Sequence, residues 1–181
     1  MHDDFLTVLL NSSTLSPKAR REALLPLATN TGLARAVRLL LPGNDLSSRR
    51  AAARALADLA TDANCRRQLL HQLELQPQLP QTVLTDGDAK LRKNFAELLG
   101  RLDADAYAEL LIRAYQAETI EYVKPSILLA LGNARSSEQV RAFLQTVQPA
   151  RNGAQKHISQ QMQALQKAQD ALQPRAFTPL P

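Results

Sequence analysis

The sequence predicts an all-α chain built from stacked helical hairpins, and three observations predict it. First, the 181 residues are dominated by Ala and Leu, with 4% aromatics, no Trp and only 6 Gly. Strands favour Val, Ile, Tyr, Phe and Thr, whereas Ala, Leu, Gln, Glu, Arg and Lys are the strong helix formers. Second, one amphipathic unit recurs: 86-DGDAKLRKNFAELLGRL-102 aligns with 46-LSSRRAAARALADLATD-62, 118-ETIEYVKPSILLALGNA-134 and 14-TLSPKARREALLPLATN-30. Third, Leu27, Leu59, Leu99 and Leu131 coincide in that register, each followed by a small residue: Ala28, Ala60, Gly100 and Gly132. The bias excludes an all-β fold and argues against a βαβ sheet.

The elements follow in chain order. An apolar stretch at 5–10 precedes the first unit, and 33–41 follows it, stopped by Pro42-Gly43. The second unit is followed by a helix at 65–73 and an extra short helix at 79–84, which fills the longer interval before the third. In the third unit Leu91, Phe95, Leu98 and Leu102 recur at i, i+4, i+7 and i+11, one face of a helix. Asp86 or Asp88 caps it, an acid suiting the positive helix end. Gly100 removes a side chain where a neighbouring helix can approach. Helices at 107–117 and 140–147 flank the fourth unit, and Pro149 with Asn152-Gly153 marks the next turn. A last helix at 155–172 carries Ile158, Met162, Leu165, Gln169 and Leu172 on one side, with polar faces suited to closing a stack. Each unit is a helix of about 12 residues, too short to stand alone, so about five helix pairs must stack. The repeat domain spans 1–172, and 173-QPRAFTPLP-181 reads as a Pro-containing tail or interdomain linker.

The single cysteine, Cys65, precludes an internal disulfide and reads as a buried, inert thiol. It also excludes cysteine-based zinc sites, and His2, His71 and His157 lack ligand spacing, so no metal or other cofactor is expected. No apolar run is long enough to cross a membrane, and the acidic start, Met1-His2-Asp3-Asp4, is unlike a secretory signal. A cytoplasmic location is therefore expected. The net charge of +5 is uneven. Residues 16–73 and 122–181 carry the basic excess, and 86–121 is acidic. Such a balance attracts anions without identifying them.

The stretch 83-VLTDGDAKLRKNFAELLGRL-102 resembles the HEAT/armadillo superfamily through Asp86, Leu91-Arg92, Ala96 and Leu99-Gly100. The same pattern drifts through 120–134 and 48–60. The resemblance implies a right-handed α-α superhelix whose Leu-Arg helices line the concave surface where partners bind. Some armadillo proteins hold extended peptides with an Asn and Trp ladder there. Only Asn133 falls at such an Asn position, its equivalents being Thr29, Thr61 and Arg101, so the resemblance does not extend to that ladder.

Two cationic sets stand out. Arg20, Arg92 and Lys124 occupy one aligned position, and pairing with turn acids such as Asp86 or Glu121 accounts for them. Lys18, Arg50 and Lys90 share a second position, Arg21 and Lys93 a third, and Arg54 and Asn94 a fourth. Together they predict a basic stripe along the concave face, able to follow a phosphate backbone or an acidic polypeptide and moderated by Glu22, Asp58 and Glu97. Tyr122 adds the one aligned aromatic. Arg66-Arg67 and Arg49-Arg50 read as plain surface pairs. No GxGxxG, P-loop, nucleophile elbow or HExxH occurs, and Asp103 reads as a helix cap. The expectation is a non-catalytic binding scaffold for a protein or nucleic acid, RNA favoured over DNA. One alternative is an N-terminal RNA-positioning module of a nucleic-acid-modifying enzyme such as an RNA methyltransferase. Another is a glycosylase of the DNA alkylation-repeat type, which the sparse acid and aromatic set disfavours.

Overall fold

A computed structural model describes residues 4–148 and 155–173. Among these residues the chain forms α-helices and short 3-10 turns and no β-strand. The helices are α1 (Asp4–Asn11), α2 (Pro17–Leu24), α3 (Asn30–Leu39), α4 (Leu46–Leu59), α5 (Ala63–Glu74), α6 (Leu79–Leu84), α7 (Ala89–Asp103), α8 (Ala108–Ala117), α9 (Lys124–Leu131), α10 (Glu138–Thr146) and α11 (Gln155–Leu172). Their starts are written locally. Ser16, Thr29, Asp45, Asp62, Asp88 and Ser137 each accept a hydrogen bond from a first-turn backbone N–H, satisfying donors that the helix cannot. Asp88, rather than Asp86, caps α7, accepting from Leu91 N at 2.8 Å. The turn from α3 to α4 passes through Gly43 at φ 102°, the left-handed region a side chain would strain.

The helices form two layers. α2, α4, α7, α9 and α11 pack in succession, and side-chain pairings running in step along neighbouring helices show that these five lie parallel. α1, α3, α5, α8 and α10 cover one side of this layer, and α6 leans on α7. Leu91, Phe95, Leu98 and Leu102 are all buried on the face the periodicity assigns to the core. The inner helices approach closely at small residues. A Cβ on Gly100 would lie 2.5 Å from Ala130 Cα, and one on Gly132 would lie 2.7 Å from Ala168 Cα.

Two inner helices are shorter than the repeat predicts. α2 ends at Leu24 and continues as a 3-10 turn, Leu25–Leu27, because Pro26 lacks the N–H needed to extend the helix. α9 begins only at Lys124, since Pro125 is tolerated in a first turn and not deeper. Cys65 is buried, and desolvation, with Asp62 nearby, pushes its thiol up to about 11, leaving it protonated and unreactive at neutral pH. Positions 149–154 and 174–181 lie outside the described residues, and with them the Pro149 and Asn152-Gly153 turn and most of the tail. No described helix is long and apolar enough to cross a membrane.

Candidate binding face

The inner helices are tied by charge before they present any. Arg20 on α2 is almost fully buried, yet it is satisfied on every side. Its guanidinium donates to Ser12 O at 3.1 Å, to Leu15 O, and to the Asp58 carboxylate on α4. Asp58 also accepts from Arg101 on α7 at 3.4 Å, so one carboxylate joins three successive inner helices. At the other end of the layer Arg49 donates to Leu40 O at 3.1 Å and to Asp86 at 2.7 Å. Arg50 forks onto the Asp88 carboxylate, its Nε at 2.9 Å from Oδ1. Arg92 forks onto Glu118 with both nitrogens at 2.8 Å and reaches back to Asp86 O at 2.7 Å. Lys124 completes the series, 3.3 Å from Glu121 and 6.0 Å from the Tyr115 ring centre.

Forked, charge-assisted contacts of this kind are short and directional, and they fix the register between helices. The ladder of Arg20, Arg92 and Lys124 is therefore structural: Arg92 and Lys124 join acids in turns, Glu118 and Glu121, whereas Arg20 departs from that expectation and reaches Asp58 within α4. Arg49 is a correction. It is buried and holds two turns together, so it is not surface. It stands one helical turn before Ala52, whose aligned position lacks the cation, and does the same work from there. Asp58 is the second correction: it is buried and claimed by two arginines rather than moderating a solvated face.

These ion pairs set the titration of two carboxylates. The Arg50 hydrogen bond holds Asp88 below the usual carboxylate range. For Glu118 burial pushes upward, but the Arg92 hydrogen bonds and the Ile120 N–H outweigh it and leave the group lowered. A lowered folded-state value means that the folded protein holds its proton less tightly than the unfolded chain. The stabilisation is then complete above the unfolded value and is lost as pH falls through the folded one. Stability measured by urea midpoint is thus expected to hold from neutrality down to about pH 5 and to decline below it. Glu118→Gln should lose about 1–2 kcal/mol at neutral pH and flatten that acid limb. An unchanged limb would show that Glu118 does not drive it.

The face that remains follows from which residues the neighbours occupy. On α4, Arg50 and Ala57 meet α7 and Asp58 meets α2, leaving Arg54 between them. On α7, Arg101 meets α4 and Gly100 meets α9, leaving Lys90, Lys93 and Asn94 with Glu97. On α9, Ser126 and Ala130 meet α7 and Gly132 meets α11, leaving Pro125 and Leu129, with Tyr122 in the turn before. Lys18 and Arg21 take the same phase on α2. These contacts leave Arg54, Lys90, Lys93, Asn94 and Tyr122 outside the helix-to-helix pairings just named, and the electrostatic states of the eight stripe residues differ.

Arg50 is committed to Asp88, and Lys93 sits 2.9 Å from Glu97. Glu97 also accepts from Ser126 Oγ at 2.9 Å. Lys18 stands 3.9 Å from Glu22, both highly exposed. Arg21 donates to Thr61 at 3.1 Å, and its buried Nε has no partner among the described residues. Arg54 reaches Ser13 O, at 3.4 Å. Lys90 is exposed and meets no carboxylate among the described residues. Asn94 is half-buried, and Tyr122 is exposed within electrostatic reach of Arg50 and Arg92.

Among the hollows lined by described residues, two gather charged side chains of the inner helices. One, about 420 Å³, opens beyond the C-terminal ends of α4, α7 and α9, where Arg66, Arg101 and Arg135 gather with Asp103 and Asp105. Sequence spacing did not bring these together, since they come from three helix ends. Two carboxylates and the negative helix termini oppose the arginines there. Asp103 caps the following turn through Ala106 N, and Asp105 accepts from Ser136 N, so both are occupied. The other hollow, about 380 Å³, lies beside α6 between Leu84, Leu110 and the Arg92–Glu118 pair. Among the described residues no cluster of His, Cys, Asp or Glu is arranged to hold a metal ion. No family model matches this chain, and no curated protein matches it.

Proposed function

We propose that this chain is a non-catalytic binding scaffold that engages an anionic partner, protein or nucleic acid, on the exposed side of its parallel inner helices. One observation carries the reading. Most carboxylates of the inner layer are spent on internal pairs, whereas Arg54 and Lys90 are exposed with no ion pair of their own among the described residues; Lys18 adds a cation with only a loose, solvated contact to Glu22, and Arg21 a half-buried one with Asp62 in electrostatic reach. A cationic face on rigid helices attracts anions without a catalytic group. The stacked hairpins support a solenoid of the HEAT/armadillo kind, wound as a right-handed superhelix with this face concave. The cytoplasm is the compartment in which we place it.

Titration against labelled RNA, DNA and an acidic peptide at about 50 mM and about 200 mM salt tests the proposal, because counterion release makes such binding salt-dependent. Binding at low salt that weakens at high salt is the expected result. Arg54→Glu with Lys90→Glu should reduce it at least tenfold while leaving the urea midpoint nearly unchanged, since neither side chain is held by an acid. Failure of every probe at both salts would overturn the reading.

A further inference from the structure

The cationic face changes character at α9. Across α2, α4 and α7 it carries Lys18, Arg21, Arg54, Lys90 and the paired Arg50 and Lys93. On α9 the same phase carries Tyr122, Pro125 and Leu129 and no charge. Leu129 is 44% exposed and Tyr122 36% exposed, so both offer apolar surface in a row that the other inner helices fill with polar side chains. The two parts adjoin: Glu97 on the α7 part holds Ser126 on α9, and Tyr122 sits by Arg50.

We infer that the occupant of this face is an acidic polypeptide segment, its carboxylates over Lys18, Arg21, Arg54 and Lys90 and an adjoining apolar side chain packed on Tyr122, Pro125 and Leu129. The inference rests on the anion-binding reading above and narrows its partner to one class. Charge complementarity selects acid for the α2–α7 part. Three features select polypeptide over nucleic acid. Base stacking needs repeated aromatic platforms, and among its named residues this face has one, beside two aliphatic residues that cannot stack. Glu97, paired with Lys93, takes one cation out of the row on α7, so the free positive charge is broken there, whereas a phosphate backbone carries charge at every step. The cations without a nearby acid, Arg54 and Lys90, stand one to a helix, a match to discrete carboxylates rather than to a phosphate at every step. A buried apolar anchor beside a charged rim is the usual energetic plan of a peptide site.

The test uses the full chain and three fluorescein-labelled probes: a peptide of alternating Glu and Ser ending in a Leu-Phe pair, the same peptide with that pair replaced by Ser-Ser, and an oligouridylate of matched charge. Three variants accompany the wild type: Leu129→Ser, Tyr122→Ser, and Arg54→Glu with Lys90→Glu. The exposed positions make folding defects small, and circular dichroism with urea midpoints verifies this. The Leu-Phe peptide is expected to bind about tenfold more tightly than the Ser-Ser peptide, and Leu129→Ser should erase that difference without touching the weaker binding. Charge reversal should weaken both peptides. Oligouridylate binding more tightly than either peptide, indifferent to Leu129→Ser, would overturn the inference and leave the anion-binding reading standing. Equal binding of the two peptides would also overturn it. Loss of all three probes would overturn both.

Discussion

Replacing Asp58 with alanine is expected to cost about 3–5 kcal/mol of folding free energy, read as a large fall in urea midpoint. The carboxylate is buried between α2, α4 and α7 and is the acidic partner of Arg20, which is itself almost wholly removed from water. Its removal leaves a buried guanidinium with carbonyl partners alone, and an uncompensated buried charge is far more costly than the pair was worth. The reverse change is milder. Arg20→Met leaves Asp58 with Arg101, closer to solvent, and replaces a charge with an apolar side chain of comparable length. The double variant Arg20→Met with Asp58→Leu should therefore recover most of what Asp58→Ala loses. If Asp58→Ala alone were nearly neutral, the inner helices would be held by apolar packing and the ion pairs would be ornaments of it.

How much of this was legible beforehand divides along sequence distance. The all-helical class, the recurring units and the core face of α7 are local properties, set by residue type and by spacing within one helix. Leu99-Gly100 and Leu131-Gly132 carry the helix-approach signal in adjacent residues, so aligning four segments exposed it. The ion pairs were not legible, because Arg20 and Asp58 or Arg92 and Glu118 meet only after successive hairpins stack. Arg49 and Arg50 show the limit most sharply. They are neighbours in sequence, yet the rotation of about 100° between successive helical residues buries the first between two loops and sets the second on the exposed side, paired with Asp88. The electrostatic state of the candidate face depends on those pairings, so its residues could be aligned from sequence and its free charge could not.

Gly100→Ala is expected to destabilise the protein by about 2–3 kcal/mol, although alanine is the better helix former by about 1 kcal/mol. The added Cβ would fall 2.5 Å from Ala130 Cα and 2.6 Å from its Cβ, inside any tolerated separation. The first of these atoms is backbone, so no rotamer change relieves it, and α7 must move away from α9. That displacement would strain what lies along the same seam: the Glu97–Ser126 hydrogen bond at 2.9 Å and the Asn133 donation to Gly100 O at 3.0 Å. Trimming the neighbour separates this account from ordinary side-chain crowding. Ala130→Gly removes the clash with the methyl group and leaves the clash with the backbone, so the double variant should stay as unstable as Gly100→Ala or worse, given the cost of a second glycine in a helix. Gly87 supplies the control, since a Cβ there meets nothing within 4 Å. Recovery in the Gly100→Ala, Ala130→Gly protein would mean that the two helix backbones are further apart than these distances require, and that the seam between successive hairpins yields by repacking side chains alone.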